Sequence, residues 1–471
     1  MQPSNSRREF LILGGAVAAG TGLAAGGEPP ARKDADPPAG GFGAYSRWKP
    51  TFGGPPSADH YLGKLVPGLR AARLPPVPVE MPDLPKLPFK MVGGVKEFEL
   101  RCTPVKREFL PGYPMDVWGY NGTMPGPLVE ATQGDRVRFV VHNDLPEPTS
   151  VHWHGLELPV AMDGVPGLTQ DPIMPGKSFV YEFDLHQAGT FFYHSHMAMQ
   201  EAFGMAGGFI IHPKVAFDPP VDRDFMLIFQ NFHIDPNQSI PDSMAMDWNW
   251  HTINGRSGPF TTPLVVKHGE RVRVRLINFS PMQHHPIHLH GHTFWITGHE
   301  GARIPASAWV PRNNALVGVA QATDFEFVAN NPGDWIFHCH MVHHMMNHMV
   351  RQVGPRIRDD SDVADYQKQL ATRPRVRPDL TADPGWRTPG YPQKMQGMDM
   401  PMDMMKRVMG RREARGMRKE WHMGVHGLMT VLRVLPPELY DLVMAGDREL
   451  KPGEVFDRIV TGEYATDYQK G

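Results

Sequence analysis

The chain has 471 residues, and Gly and Pro supply 48 each, about a fifth of the total, which excludes a mostly helical protein and suits many short strands joined by turns. Lys and Arg number 48 against 50 Asp and Glu, a formal charge of −2, so no overall basic field recruits nucleic acid. No apolar run reaches the ~18–20 residues of a stable membrane span, and two cysteines cannot make a disulfide framework.

The excesses are 24 His and 29 Met, both metal-ligand types, so their clustering along the chain matters. At the N-terminus, Ser6-Arg7-Arg8-Glu9-Phe10-Leu11 precedes an apolar, small-residue stretch. Twin Arg ahead of such a stretch reads as a twin-arginine export signal over residues 1–26, with a plain Sec signal or an uncleaved anchor as the alternative. The expected location is periplasmic or extracellular. Residues 27–89 are rich in Pro, Gly and Ala without periodicity, and are expected to form an extended arm.

The middle of the chain is a duplication. Gly134-Asp135-Arg136-Val137-Arg138 recurs as Gly269-Glu270-Arg271-Val272-Arg273, 135 residues on. His152-Trp153-His154-Gly155 recurs as His288-Leu289-His290-Gly291, at offset 136. The stretch from Ala188 to His196 matches that from Pro332 to His340, at offset 144. Three matches in one order define two similar β-sandwich domains, at 90–213 and 222–355, with Pro219-Pro220 between them. The strands alternate, with Val272, Val274 and Leu276 on one face and Arg271, Arg273 and Arg275 on the other.

Most of the histidines in this region fall into four clusters: His152 with His154, His194 with His196, His285 with His288 and His290, and His338 with His340 around Cys339, followed by His344 and Met349. Residues i and i+2 of a strand point to one face, so each His-x-His pair aims both rings the same way. Eight such imidazoles suffice for several metal ions and are too many for one. Two imidazoles, a thiolate and a weak axial thioether form the blue-copper electron-transfer set, and His285, His344, Cys339 and Met349 supply it. In the first repeat Thr149 stands for His285, Ser195 for Cys339, Gln200 for His344 and Met205 for Met349, so only the second domain can carry that site. Cys102 has no His nearby and is expected in the core.

His-Trp-His-Gly, His-Ser-His, His-x-x-His-x-His and His-Cys-His-x-x-x-His-x-x-x-x-Met, in this order, resemble the four copper motifs of the multicopper oxidases. The resemblance covers residues 90–355, and the short spacing between the second and third motifs likens the chain to the two-domain, small laccase-like group. It implies an all-β fold of two cupredoxin-like Greek-key sandwiches and four coppers per chain. His152 and His288 would hold the type 2 copper. His154, His194, His196, His290, His338 and His340 would hold the type 3 pair. His285, Cys339, His344 and Met349 would form the type 1 site. The implied activity is oxidation of a one-electron donor, a phenol or aromatic amine, coupled to reduction of O2 to water. Cys339 would pass each electron through the adjoining His338 and His340. The resemblance also implies a homotrimer, although the sequence leaves pairing of the two domains within one chain open. Asp163 resembles the acidic residue that relays protons beside the cluster, or it simply sits in an Asp-Gly turn.

Beyond residue 355 the pattern changes. Residues 356–394 read as a charged, Pro-rich linker, and 395–471 as a Met-rich, partly helical tail. Met395, Met398, Met400, Met402, Met404, Met405 and Met409 are followed by Met417, His422, Met423, His426 and Met429. Thioethers prefer Cu(I), so the tail suggests a cuprous oxidase as the alternative function; otherwise Met is only flexible packing material. The basic run from Lys406 to Lys419 reads as a solvated helix face. A non-catalytic copper carrier is a third reading, with no use for a blue site wired to eight histidines.

Overall fold

The computed structural model describes residues 76–235, 238–347, 349–350, 354–355, 402–422 and 424–461. The export signal, most of the arm and the 356–394 segment lie outside these residues. Among the described residues no helix is long and apolar enough to cross a membrane.

Among the described residues four larger sheets form the two sandwiches, two in each, and their order repeats; a fifth, two-stranded sheet pairs Met349–Val350 with Gly354–Pro355. In the first domain, Val95–Leu110 runs parallel to Arg136–Asn143, which pairs with Ser178–Asp184. In the second, Arg223–Phe232 runs parallel to Arg271–Asn278, which pairs with Ala322–Val328. The facing sheet of the first domain has the order Gly126–Thr132, Ala206–His212, Gly189–His194, His152–His154. Its partner in the second domain has the order Leu264–Lys267, Met429–Leu435, Gly333–Cys339, His285–Leu289, with Asn314–Val317 added at the edge. Inward-facing residues fill each sandwich: Phe98, Phe139, Trp153 and Phe209 in the first, Phe229, Val274, Phe325 and Phe337 in the second. Cys102 is fully buried in the first core, as its surroundings in sequence suggested.

One strand changes the domain boundaries. Met429–Leu435 lies within the expected tail, yet it sits in the middle of the second domain's sheet, parallel to Leu264–Lys267 and antiparallel to Gly333–Cys339. Its register gives its origin: Met429 pairs with His338 as Ala206 pairs with His194. The segment is therefore the missing last strand of the second repeat, displaced in sequence by a long insertion. The second domain does not close at residue 355, and 395–471 is not a detached appendage. Sequence offsets could not show this, because the match between repeats ends where the insertion begins.

The domains and the arm pack together. Val79–Glu80 of the arm adds a parallel strand to Arg223–Phe232, and Lys86 bridges to Leu128 in the first domain. An apolar layer of Met81, Leu128, Phe192, Ile210, Met226, Ile228 and Phe279 joins them. The basic run from Lys406 to Lys419 is solvated at Lys406, Arg407, Arg412, Arg418 and Lys419. It also ties the tail to the body: Arg407 pairs with Glu108, and the less exposed Arg411 with Asp83 at 3.2 Å. The alternating strand Arg271–Asn278 is buried on both faces, because its arginine side is covered by Trp309 over Arg271, by Phe217 of the linker over Arg273 and by the first domain at Arg275. Arg275 donates to Asp224 at 2.7 and 2.8 Å and to Thr190 of the first domain at 2.7 Å, and Thr190 donates to Asp324 at 2.7 Å.

Glu326 is fully buried and binds Arg271, Arg273 and Arg303. Burial alone would raise its pKa, but Arg273, Arg303 and Arg271 outweigh it and hold the carboxyl well below the usual range. Glu326→Ala leaves three guanidinium groups without their common anion. Breaking a buried pair costs about 3–5 kcal/mol, so the denaturant midpoint is expected to fall correspondingly. A loss below about 1 kcal/mol would mean that the arginines regain water freely.

Candidate metal centres

His285 opens the strand His285–Leu289, Cys339 ends Gly333–Cys339, and His344 lies in the short 3-10 turn Val342–Met345 that follows. All three side chains are buried. Cys339 Sγ lies 3.5 Å from His285 Nδ1 and 3.3 Å from His344 Nδ1, and the two nitrogens are 3.1 Å apart. An ion about 2.0 Å from nitrogen and 2.3 Å from sulfur needs donors roughly 3.3–3.7 Å apart, so this imidazole–thiolate set closes on a metal with little movement. Burial pushes the Cys339 thiol up to about 12 and His344 down to about 4. Without metal the three groups are thus neutral, and a bound cation would ionise the thiol. Ser280 Oγ lies 2.7 Å from His285 Nε2 and fixes which ring nitrogen faces the sulfur.

The equivalent place in the first domain is filled by hydrogen bonds. Thr149 Oγ1 and Ser195 Oγ both donate to Gln200 Oε1, at 2.7 and 2.8 Å, and Gln200 Nε2 donates to the Pro148 carbonyl at 2.8 Å. A closed set of hydroxyls and an amide offers no soft donor. The first domain holds no second copy of the imidazole–thiolate site.

The other eight histidines form two sets of four. In the first domain, the ring of His152 lies 5.2–5.8 Å from those of His154, His194 and His196. In the second, the ring of His288 lies 4.6–5.8 Å from those of His290, His338 and His340. Facing nitrogens come close, with His154 Nδ1 3.4 Å from His194 Nε2 and His290 Nε2 3.2 Å from His338 Nε2. Outer partners orient the rings: His152 Nδ1 is 2.7 Å from the Asp163 carbonyl, His288 Nδ1 2.6 Å from that of Asn313. His194 and His338 each direct Nδ1 to the following residue's carbonyl, leaving Nε2 for a metal. His196, His290 and His340 are exposed. Among the described residues, the ring contacts of these eight histidines with one another stay within one set.

Asp163 does stand beside His152, its carboxylate 3.4 Å from Nδ1. The turn is tight because Gly164, at φ +85°, approaches the Val151 backbone so closely that a Cβ would fall 1.9 Å from its carbonyl oxygen. Three neighbours escaped the sequence reading because nothing in their local motifs marks them. His251 is buried with its ring 4.5 Å from that of His344. Glu201 Oε1 lies 3.6 Å from His194 Nδ1, and burial pushes its carboxyl up to about 7. Leu428 occupies the place of Met205: its carbonyl accepts from Cys339 N at 2.9 Å, as that of Met205 accepts from Ser195 N at 3.1 Å. The expected axial ligand Met349 belongs to the short strand Met349–Val350, and its side chain lies outside the described residues.

Two linked sandwiches with one buried imidazole–thiolate set and two open imidazole sets define a duplicated, metal-binding cupredoxin architecture. Two family models, each described as multicopper oxidase, match residues 101–216 and 233–358, together just over half of the chain. The chain belongs to the multicopper oxidase family, which implies copper as its metal. It is 32% identical to dihydrogeodin oxidase of Aspergillus terreus over 50% of this chain and 42% of that protein. It is 28% identical to a copper resistance protein A homolog of Pseudomonas syringae pv. tomato over 39% of this chain and 40% of that protein. The chain thus spans less than half the length of these curated relatives. The blue copper oxidase of Nitrosomonas europaea aligns with 78% of this chain and 95% of its own, at 24% identity and a TM-score of 0.52, a likeness of fold.

Proposed function

We propose that this protein is an exported, laccase-like oxidase that takes single electrons from phenols or aromatic amines and reduces O2 to water. The observation that carries the reading is one buried imidazole–thiolate set whose Cys339 lies between His338 and His340 of the second domain's four imidazoles, with a matching set of four in the first domain. Four coppers per chain, one type 1, one type 2 and two type 3, would supply the one-electron and oxygen chemistry. His285, Cys339 and His344 would hold the electron-accepting copper, with Met349 as the expected thioether ligand. Cys339 is bonded through the backbone to His338 and His340, so the route to the imidazole sets is short and needs no mobile carrier. Asp163 sits where a proton can be held next to His152. The twin-arginine signal directs the protein to the periplasm or the exterior.

Each set of four imidazoles would be half of an eight-histidine cluster, and among the described residues the ring contacts stay within each half. A cyclic trimer, in which the first domain of one chain faces the second domain of the next, would join them. The test is complementation. A chain with His152→Ala and His154→Ala is mixed, after unfolding, with one carrying His288→Ala and His290→Ala. Each is inactive alone. Equal mixing into trimers should restore about a quarter of the activity, since one in four junctions receives two intact halves. No recovery, with assembly intact, would place the cluster within one chain.

A second reading, cuprous oxidation, is favoured by the insertion between His344 and Leu428, which brings methionines and two histidines against the imidazole–thiolate site. Oxygen uptake by the copper-loaded protein with Cu(I) or a methoxyphenol as donor separates the two. Faster turnover of the phenol supports the laccase-like reading; a clear preference for Cu(I) replaces it with the second.

A further inference from the structure

His422 and His426 lie in the insertion, outside the eight-histidine sets and the imidazole–thiolate site. Both are buried, 3% and 2% exposed. Their ring centroids are 5.9 Å apart. Nδ1 of His422 and both ring nitrogens of His426 have no partner in hydrogen-bonding geometry; the His422 carbonyl lies near enough to favour the charged form of both rings without meeting that geometry. An orphaned buried donor or acceptor costs about 1–3 kcal/mol, and three in one pair call for an occupant.

The surroundings specify its chemistry. Trp421 and Val425, the neighbours of the two histidines, pack in one cluster with Met345, Met409, Met417 and Met429. With metal–nitrogen bonds of about 2.0 Å, two imidazoles sharing one ion place their centroids roughly 5–6 Å apart, wider as the N–metal–N angle opens. The observed spacing fits the open angle of a two- or three-coordinate ion. Burial lowers the pKa of both rings, to about 4 at His426, so both are neutral ligands at neutral pH. Among the described residues no carboxylate joins them to make a three-donor group. Glu420 is exposed and acts on His422 only through space. A buried pair of neutral imidazoles therefore accepts a single positive charge far more readily than two, because the cost of burying an ion grows with the square of its charge. Thioethers nearby select a soft ion.

We propose that His422 and His426, with a thioether of this cluster, form a site for one monovalent copper ion in addition to the copper sites of the family. The site adjoins the imidazole–thiolate set: His426 N donates to the Met345 carbonyl at 3.0 Å and Leu428 N to that of His344 at 2.9 Å. It stands on these two rings and does not depend on which donor the oxidase uses.

The test is anaerobic titration of the copper-loaded, full-length protein with Ag(I), a redox-inert probe of the same charge and softness, against a competing chelator. The wild type should hold one equivalent more than His422→Gln or His426→Gln, with the blue band unchanged in both variants. Loss of outer partners of a metal ligand already costs about 10–100-fold in affinity, so loss of a ligand should weaken this equivalent by about a hundredfold or more. Silver-edge X-ray absorption of the wild type should show two imidazoles and a sulfur, a readout that survives if a variant fails to fold. Equal silver binding by wild type and folded variants overturns the proposal, as does silver bound by sulfur alone. Since silver binding is read without turnover, failure of the oxidase reading and failure of this site are told apart.

Discussion

A chain ending at residue 394 is expected to lose the blue band and the cooperative unfolding of its second domain, although His285, Cys339, His344 and Met349 all remain. The removed strand Met429–Leu435 is buried at every position. Burying Met429, Val431, Leu432, Val434 and Leu435 contributes about 1.5–3 kcal/mol each, roughly 8–15 kcal/mol together, before the hydrogen bonds on its two sides. That equals the whole stability of a typical domain, about 5–15 kcal/mol. The truncated protein should keep a folded first domain, visible as a single lower-amplitude transition in calorimetry, and expose its second domain to protease. A truncated chain that remains blue and resists protease would mean that the strand is dispensable.

Cys339→Ser is the second large effect. The hydroxyl is nearly isosteric with the thiol and the first domain already accommodates Ser195 at the equivalent position, so folding should be kept. A hydroxyl is neither soft nor readily ionised, so the blue absorption should vanish and donor oxidation should fall to background. Electron paramagnetic resonance should still report copper at the imidazole sets. Retention of a blue band in this variant would remove Cys339 from the electron-accepting site. The substitution His152→Ala, in the first domain's imidazole set, acts in the opposite sense, sparing the blue band while lowering copper content and oxygen reduction.

Much of this was legible in the sequence because duplication marks equivalent positions twice. Offsets near 136 and 144 paired His154 with His290 and Ser195 with Cys339, and the structure brings together His285, Cys339 and His344 as the spacing required. The Thr149, Ser195 and Gln200 triad likewise follows from the repeat. The reading failed where a single residue or an insertion breaks periodicity. The alternation puts Arg271, Arg273 and Arg275 on one face but says nothing of what they meet; only tertiary packing sets Asp224, Asp324 and Glu326 opposite them. Met429–Leu435 carries no His and no repeat motif, so its membership of the second sheet depends on pairing with strands far away in sequence. His251 and Glu201 reach their sites from elements whose local sequence says nothing of metal.

The displaced strand also sets an order of events during synthesis. The first domain has all of its strands once residue 212 has been made. The second has His285, Cys339 and His344 in hand by residue 344, yet the edges of Leu264–Lys267 and Gly333–Cys339 stay unpaired until residue 435 follows. Bare strand edges invite wrong pairing, and late-arriving contacts slow the closing step. The soft-metal pocket is consequently among the last parts of the molecule to be sealed, and a helper that shields those two edges would act on the nascent second domain while leaving the first alone.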